Sequence, residues 1–525
     1  MTGVTALLAA ATAAYLLARW LEAPALPFLL AAGVALSAVY PVPEGLLEDG
    51  LVLGVSVLLF VAGLELEPGR IGDRGRAAVR VGLVQALALA ALAFGVCLPL
   101  GFTPLEAGYL ALALTASSTL VGVRILKGRR EMFEPYGRVV LGVLLLQDVL
   151  VLLAIPLVTR LGPAGGAAVE TLGAIALLGA ACAAVRTWGA PLLARADDEM
   201  LILASLSTLF LFALGAELLG IPLVVGAFLA GVALARFPVN RIVRSEVAPI
   251  GEFFSALFFT ALGALVRVPS ATELWQAGLL AALVVVVTPP LVTVVAERSG
   301  LSARSALDAG LLLSQTSELS LVIGLAGMVQ GDLDPGVFTV IVLVTAATML
   351  LTPLIASDAV SRRLLRLHPS QWRTPEGAPP AGHVLLLGGG TTGRTLLEEL
   401  ARSEVEIVVV DRDPSVTARL RSRGIRAICG EASDPRVLEA AGAGDARVVI
   451  STVGRASDSE DALAAVGSGT EVLVRVTTER EARRIRERGG TPVLLPERAA
   501  ESLMEWYDRS AAELDRRLAE RLESP

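Results

Sequence analysis

The chain is poor in the residues that build most metal and redox sites. Its 525 residues include two histidines, His368 and His383, and three cysteines, Cys97, Cys182 and Cys429. None of these has metal-ligand spacing and no CxxC occurs, which excludes a disulfide framework and a cysteine- or histidine-built metal site. Lysine is nearly absent as well: Lys127 is the sole lysine among 44 basic residues. The net charge is −7, aromatic residues make up 5%, and no basic-aromatic cluster occurs. Nucleic acid is therefore not an expected partner. Charge of either sign is scarce. Charged residues amount to 18% and hydrophobic residues to 54%, against about 25% charged in soluble domains. That excludes a disordered chain and an ordinary soluble enzyme, and it points to a polytopic membrane protein.

What is abundant is apolar sequence in long runs. Thirteen runs able to span about 30 Å of hydrocarbon lie near 4–20, 24–40, 50–67, 78–99, 104–123, 139–159, 167–185, 199–219, 221–236, 249–267, 273–296, 306–330 and 335–357. The first lacks the basic flank of a signal peptide and is followed at once by another run, so it reads as a helix. Basic residues collect in alternate loops. Arg19, Arg70, Arg74, Arg76, Arg80, Arg124, Lys127, Arg129, Arg130, Arg138, Arg186, Arg195, Arg236, Arg241, Arg244, Arg298 and Arg304 fall on one side, and only Arg160 and Arg267 on the other. The positive-inside rule then places the N-terminus outside and the C-terminal part in the cytoplasm of a multi-pass cell-membrane protein.

An internal repeat runs through these spans. AGVAL occurs at Ala32–Leu36 and again at Ala230–Leu234, with Pro24 and Pro222 eight residues before each. Gly63 lies 200 residues before Gly263, and the segment Thr115-Ala116-Ser117-Ser118 lies 200 before Gln315-Thr316-Ser317-Glu318. A shift of seven spans reverses orientation, so the expected fold is an α-helical membrane domain of inverted repeats, an architecture of secondary transporters.

Past Asp358 the pattern changes. Residues 359–382 hold Arg362, Arg363 and Arg366 and then a Pro/Gly-rich stretch, which reads as a linker. Residues 383–500 alternate short apolar runs with amphipathic segments (HVLLLG, VEIVVVD, IRAICG, ARVVIST, VLVRV, PVLLP). This is the βαβ pattern of a parallel, Rossmann-like α/β domain. Residues 501–525 read as one polar helix. The expected division is thus 1–358, 359–382, 383–500 and 501–525.

Two intramembrane acids stand out, because a carboxylate near the bilayer centre costs about 2.5–3.5 kcal/mol on insertion scales. Asp148 lies in LLLQDVLVLLAIP in span 6, and Glu318 in LLLSQTSELSLVIG in span 12. Spans 5 and 12 also carry polar clusters at matching places in the repeat: Thr115, Ser117, Ser118 and Thr119 against Ser314, Gln315, Thr316, Ser317 and Ser320. Ser and Thr compete for backbone hydrogen bonds, and interrupted helices at matching repeat positions mark an ion site. Asp148, its neighbour Gln147, Thr115, Ser117, Ser118 and Glu318 are the candidate cation- and proton-binding residues. In the second part, Gly388-Gly389-Gly390-Thr391-Thr392-Gly393 fits GxGxxG between a strand and a helix, and Asp411 ends the next strand. Such a turn receives phosphates at a helix N-terminus, and the acid takes ribose hydroxyls. Gly388, Gly390, Thr391, Thr392, Gly393, Asp411, Arg412 and Glu431 are the candidate cofactor residues, for an adenine nucleotide (AMP or ATP) or NAD(H).

Five segments carry a family resemblance: GLELEP (Gly63–Pro68), ALTASST (Ala113–Thr119), LLLQDV (Leu144–Val149), FFTALGALV (Phe258–Val266) and SQTSELSLVIG (Ser314–Gly324). In this order they resemble the monovalent cation:proton antiporter family that includes the Kef-type potassium/proton antiporters. The resemblance implies that Asp148 is the ion- and proton-carrying carboxylate, and a Gln before it is similar to Kef-type members. Many sodium-type relatives have a lysine in span 11, where this chain reads VVVVTPPLV with Thr288 before Pro289 and Pro290. Potassium is therefore the expected ion and electroneutral exchange the expected stoichiometry. The family also implies a homodimer with an elevator-like motion. Residues 383–500 resemble TrkA-N, or regulator-of-potassium-conductance, domains through GGGTTG, VVVDRDP, GEASDPRVLEAAGAGDARVVIST, VLVRVTT and PVLLPERAA. Glu431 stands where that family usually has Asp.

Three alternatives bracket this reading. One is a Na+/H+ antiporter of the same fold. A nucleotide-gated potassium channel would carry a TVGYG-like filter, which the sequence lacks. An NAD-dependent oxidoreductase would need a second substrate domain, and 25 residues past 500 do not supply one. The antiporter reading makes a sharp prediction. Asp148→Asn keeps size and hydrogen bonding but cannot titrate, so the purified variant should fold and insert yet show no cation-driven proton flux in proteoliposomes.

Overall fold

The computed structural model describes residues 2–39, 44–64, 74–129, 131–132, 134–158, 167–189, 193, 197–236, 239–365, 367, 381–400, 405–454, 456–466 and 470–494. The chain divides into two compact units. The first comprises Met1–Gly128, Met132–Ser299 and Ser305–Leu364. The second comprises Arg129–Glu131, Gly300–Arg304 and the chain from Leu365 onward.

Among its described residues the first unit has helices and no strand. Its helices are α1 (Thr2–Trp20), α2 (Ala25–Val39), α3 (Glu44–Leu64), α4 (Gly75–Cys97), α5 (Pro104–Thr115), α6 (Thr119–Arg129), α7 (Pro135–Val158) and α8 (Ala167–Ala184). After these come α9 (Asp198–Leu218), α10 (Leu223–Leu234), α11 (Val239–Ala264), α12 (Ala271–Arg298), α13 (Ala303–Leu312), α14 (Glu318–Val329), α15 (Pro335–Ile355) and α16 (Asp358–Leu365). Among the described residues, eight helical segments are long and apolar enough to cross a membrane, with α5 and α6 together counted as one, and five shorter apolar helices accompany them. The entries of α5 and α12 are set by capping boxes. Thr103 and Glu106 bond each other's backbone N–H at the start of α5, as Ser270 and Glu273 do at α12, which satisfies N–H groups that a helix start leaves open. Two apolar runs are split. The fifth is covered by α5 and α6 and the twelfth by α13 and α14, with a non-helical stretch at the polar cluster in each.

The inverted repeat appears as packing. Glycines permit two helix crossings at backbone contact, and the numbering of the two is exchanged by the repeat. Gly33 on α2 lies against Thr260 and Gly263 on α11, and Gly63 on α3 lies against Phe228 and Gly231 on α10. Gly63 and Gly263 are the pair 200 residues apart, and Gly33 and Gly231 stand at the same place in the two AGVAL segments. Small residues let apolar helices approach closely where lipid supplies no hydrophobic drive.

One expectation needs adjustment. The segment 359–382 was expected to be linker throughout, but α16 occupies its beginning. Asp358 in the first turn and Arg362 and Arg363 in the last suit the helix dipole. Ser361 is buried and donates to Asp308 at 2.6 Å. The polar helix expected over 501–525 lies outside the described residues.

The second unit is an α/β sheet. Its strands are β1 (Val384–Leu387), β2 (Ile407–Asp411), β3 (Arg426–Cys429), β4 (Val448–Ser451), β5 (Glu471–Val476) and β6 (Thr491–Leu494). All pair in parallel in the order β3-β2-β1-β4-β5-β6. Helices α17 (Thr391–Leu400), α18 (Pro414–Arg421), α19 (Pro435–Ala440), α20 (Ala456–Ala465) and α21 (Glu479–Glu487) cross between the strands. Both faces of the sheet are covered, so its central strands read as unbroken apolar runs. Leu385 and Leu387 pack in one core with Val408 and Val410, and Leu386 packs in another with Val409, Leu397 and Leu420. The strand order reverses between β1 and β4, where open α/β sheets form their ligand crevice. The Gly300–Arg304 segment contributes Arg304, the largest fully buried side chain among the described residues. Arg304 Nη1 lies 3.0 Å from Asp458 Oδ1 and donates to Ser433 Oγ at 2.7 Å.

The glycine crossings carry a prediction. A Cβ at Gly231 would run into the Phe60 carbonyl and sit 2.9 Å from Gly63 Cα. Gly231→Leu should therefore force α3 and α10 apart and lower the thermal stability of the detergent-purified protein, by about 1–3 kcal/mol or more. Gly278→Leu, where a Cβ meets nothing within 4 Å, should leave the melting temperature close to wild type.

Candidate functional site: a crossing of interrupted helices and a glycine-rich turn

In the first unit the two interruptions meet. Helix α5 ends at Thr115, Ala116 is extended, and α6 starts at Thr119. Helix α13 ends at Leu312, and Ser317 caps α14 by accepting from Leu319 N–H at 3.2 Å. Each break leaves a carbonyl end and an N–H end without helical partners. These are partial charges of both signs inside an apolar bundle. Side chains from the opposite break satisfy several of them. Ser117 Oγ donates to the Leu313 carbonyl at 2.8 Å, Gln315 Nε2 to the Ser118 carbonyl at 3.4 Å, and Ser320 Oγ to the Ala113 carbonyl. Ser118 Oγ donates to Glu318 Oε2 at 2.9 Å. Those two residues are repeat partners 200 apart, so the pseudo-twofold axis passes between them.

Helix α7 presents Gln147 and Asp148 to this crossing. Both are buried, 1% and 8% exposed. Gln147 Oε1 accepts from the Ser117 N–H at 3.0 Å, and Asp148 Oδ2 accepts from Thr119 Oγ1 at 3.0 Å. In the second repeat an N–H of the break is likewise held by a neutral side chain of the facing helix: Thr316 N–H donates to Thr348 Oγ1 at 3.1 Å. Thr348 is 200 residues after Asp148. The frame is therefore symmetric and the charge is not. A carboxylate in the middle of a helix stands on one side, and Glu318 in the first turn of α14, where a helix N-terminus favours an anion, stands on the other.

The structure thus brings together Gln147, Asp148, Ser117, Ser118 and Glu318. Thr115 is buried there too, but its Oγ1 turns back to the Leu112 carbonyl at 2.7 Å and serves the end of α5. Three participants lay outside both the candidate residues and the polar clusters read from the sequence: Gln85 on α4, Thr348 on α15 and the Leu313 carbonyl. A lone Gln in LVQALALA was the available signal for the first. A Thr gives little sign of its role, and a backbone carbonyl gives none. Thr288, at the span-11 place without lysine, is fully buried in α12.

In the second unit the glycine-rich turn joins β1 to α17. Gly388 has φ +95°, a left-handed conformation that suits glycine. A Cβ on Gly393 would strike the Gly388 carbonyl, so this glycine is required by the turn itself. A Cβ on Gly390 meets nothing within 4 Å: here the backbone faces open space at the start of α17, a cradle suited to a phosphate. Asp411 closes the crevice beside it. Its Oδ2 accepts from Gly389 N–H and its Oδ1 from Asp413 N–H, each at 2.7 Å. Burial pushes the Asp411 carboxyl above the usual range, against the pull of those two N–H donors. A carboxylate has about four lone-pair sites, so room remains for a ribose hydroxyl.

Thr391 and Thr392 open α17, and Arg412 follows β2. Arg475 on β5, not selected from sequence, donates from Nη1 to Thr392 Oγ1 at 3.1 Å and brings a guanidinium to the same helix start. An arginine inside the apolar strand VLVRV was the signal available. Glu431 is 8% exposed and accepts from Ser302 Oγ at 3.0 Å within the unit.

The relatives of the chain match this architecture. Residues 5–359 match the family described as sodium/hydrogen exchanger, transmembrane, and residues 384–496 match the TrkA-N domain. A glutathione-regulated potassium-efflux system protein KefC from Enterobacter sp. (strain 638) is 30% identical over 420 residues, which is 76% of this chain and 66% of the relative. The chain thus matches just under two thirds of that relative's length. The sodium proton antiporter MjNhaP1 of Methanocaldococcus jannaschii, 15% identical, superposes with a TM-score of 0.54 over 70% of this chain and 99% of its own, a likeness of fold. The TrkA-N domain of the inner membrane protein ybaL from Escherichia coli is 27% identical over 25% of this chain and 98% of its own, with a TM-score of 0.24. With the crossing in one unit and the parallel sheet in the other, the chain belongs to the sodium/hydrogen exchanger family, and it carries a TrkA-N domain after the transmembrane part.

Proposed function

We propose that this chain exchanges potassium for protons across the cell membrane, with Asp148 carrying either ion in turn. The observation that carries the reading is the placement of Asp148 and Gln147, on one turn of α7, against both sides of the first interruption. A group that binds a proton or a cation, but not both, links the two fluxes. Thr119 and Ser118 supply hydroxyl oxygens, and the carbonyl ends of α5 and α13 supply neutral oxygens suited to a weakly hydrated cation. Gln147 holds the Ser117 N–H, and Glu318 balances the N-terminal end of α14. One titrating carboxylate in the exchange gives 1:1, electroneutral turnover. The potassium preference draws support from the KefC relative's printed name and from Thr288 where a lysine would stand. The positive loops support an N-terminus outside and a cytoplasmic C-terminal unit, and the family supports a homodimer in the membrane.

For the C-terminal unit the reading is a regulatory nucleotide site, spanning residues 383–500 after a connection over 359–382. Phosphates of an adenine nucleotide or NAD(H) would rest on Gly390–Gly393 with Arg475 beside them, and a ribose hydroxyl would reach Asp411. Support for control of transport comes from chain order. Ser302 and Arg304, held by Glu431, Ser433 and Asp458, immediately precede Ser305 in α13, and the other end of that helix is the second interruption. A ligand controls a two-state transporter only by binding the states unequally.

Proteoliposomes with an interior pH dye test the exchange. K+ and Rb+ should collapse an imposed pH gradient strongly and Na+ and Li+ weakly, without sensitivity to membrane potential. A dominant Na+ response would instead identify a sodium antiporter, and a response to none of the cations would sink the exchange reading. Gly390→Val tests the nucleotide cradle: the variant should fold, because nothing opposes a side chain there, yet lose nucleotide binding by calorimetry while Asp148-dependent exchange persists. Undiminished affinity in that variant would overturn the phosphate assignment.

A further inference from the structure

Three buried glutamines surround the crossing, and each has one amide atom engaged with the interruptions and one without a partner among the described residues. Gln147 uses Oε1 and leaves Nε2; Gln315 uses Nε2 and leaves Oε1; Gln85 uses Nε2 and leaves Oε1. Gln147 and Gln315 lie beside the carboxylate and within the second break. Gln85 lies on α4, an uninterrupted helix packed against α5, α7 and α12, and it is 1% exposed. Its Nε2 donates to Ser117 Oγ at 3.3 Å and to the Leu313 carbonyl at 3.4 Å. One neutral side chain thus ties the first interruption to the second.

The orientation of that amide follows from its partners. The Leu313 carbonyl only accepts, and Ser117 Oγ already donates its proton to the same carbonyl. Turning the amide over would set Oε1 against the carbonyl oxygen and leave Nε2 where Oε1 now stands, so the network selects the NH2 inward. The Leu313 carbonyl follows the buried C-terminal end of α13, and Ser117 is the residue whose N–H Gln147 holds. A shift of either changes the oxygen geometry presented next to Asp148.

We infer that Gln85 is a positioning residue that determines cation preference, acting through Ser117 and the Leu313 carbonyl to fix the spacing of the two interrupted helices. The inference rests on the reading of the crossing as the cation site. The amide's donor function is what matters, not its bulk or its charge. An isosteric carboxylate would repel the Leu313 carbonyl when ionised and replace the lost donor with an O–H when protonated. A leucine fills similar space and donates under no condition.

The full-length protein carrying Gln85→Leu or Gln85→Glu tests this in proteoliposomes, with KM and kcat taken for K+, Rb+ and Na+ across a pH series, beside wild type and Asp148→Asn. Gln85→Leu should raise KM for the preferred cation about tenfold, equivalent to about 1.4 kcal/mol, compress the ratio between cations, and change kcat little. Gln85→Glu should match it at high pH and return toward the wild-type KM as pH falls. Two results overturn the inference: KM values within twofold of wild type in both variants, or Gln85→Glu indistinguishable from Gln85→Leu at every pH. Cation-dependent thermal shifts of the purified proteins with K+ and with Na+ give an arm that needs no transport. If wild type transports nothing, the exchange reading fails, and the Gln85 inference is decided by whether Gln85→Leu abolishes the difference between the two cations' shifts.

Discussion

Everything in the membrane unit answers one constraint: two helices stop inside an apolar bundle, and their open backbone ends must be satisfied there. Buried N–H and C=O groups without partners are costly, and lipid offers none. The solution is mutual. Ser117, Ser320 and Gln315 on one or other break donate to carbonyls of the opposite one, while Gln147 and Thr348 receive the N–H groups of Ser117 and Thr316. The same arrangement that satisfies the backbone leaves oxygens of several kinds beside one carboxylate. In the proposed exchange, structure and ion chemistry draw on the same atoms.

Repeat symmetry explains how the frame is held and where function departs from it. The glycine contacts at Gly33–Gly263 and Gly63–Gly231 are exchanged by the repeat, and the Ser118–Glu318 hydrogen bond lies on its axis. Asymmetry enters where Asp148 faces a counterpart threonine. For the proposed exchange, a symmetric scaffold with an asymmetric charge is the kind of frame that alternating access between inverted repeats uses.

The second unit uses backbone ends in another way. The strand order reverses at β1 and β4, and the turn after β1 needs glycine for two separate reasons. Gly388 and Gly393 are demanded by backbone conformation and close contact, whereas a Cβ at Gly390 would meet nothing within 4 Å. The GxGxxG pattern by itself cannot separate these roles, because every glycine in it reads alike. Asp411 was legible as the acid at the end of β2, but its two bonds to Gly389 and Asp413 were not. Those bonds make it a brace of the turn.

By itself the sequence determined the class of protein, the thirteen apolar runs, the repeat near 200 residues, the six βαβ strands and the acid in the middle of α7. Each of these is a local or periodic property: hydrophobicity over about 20 residues, alternation over four to eight, or a carboxylate where none is cheap. Tertiary structure alone decided which hydroxyl meets which carbonyl. Thr115 and Ser117 are two residues apart and equally polar in sequence, yet one turns back to its own helix and the other reaches across to Leu313. Gln85 and Arg475 lie far along the chain from the motifs they touch, and α16 forms where composition suggested a linker. Such contacts depend on helices and strands meeting at fixed angles. No pattern within one segment encodes that, because the partner is supplied by a segment elsewhere in the chain.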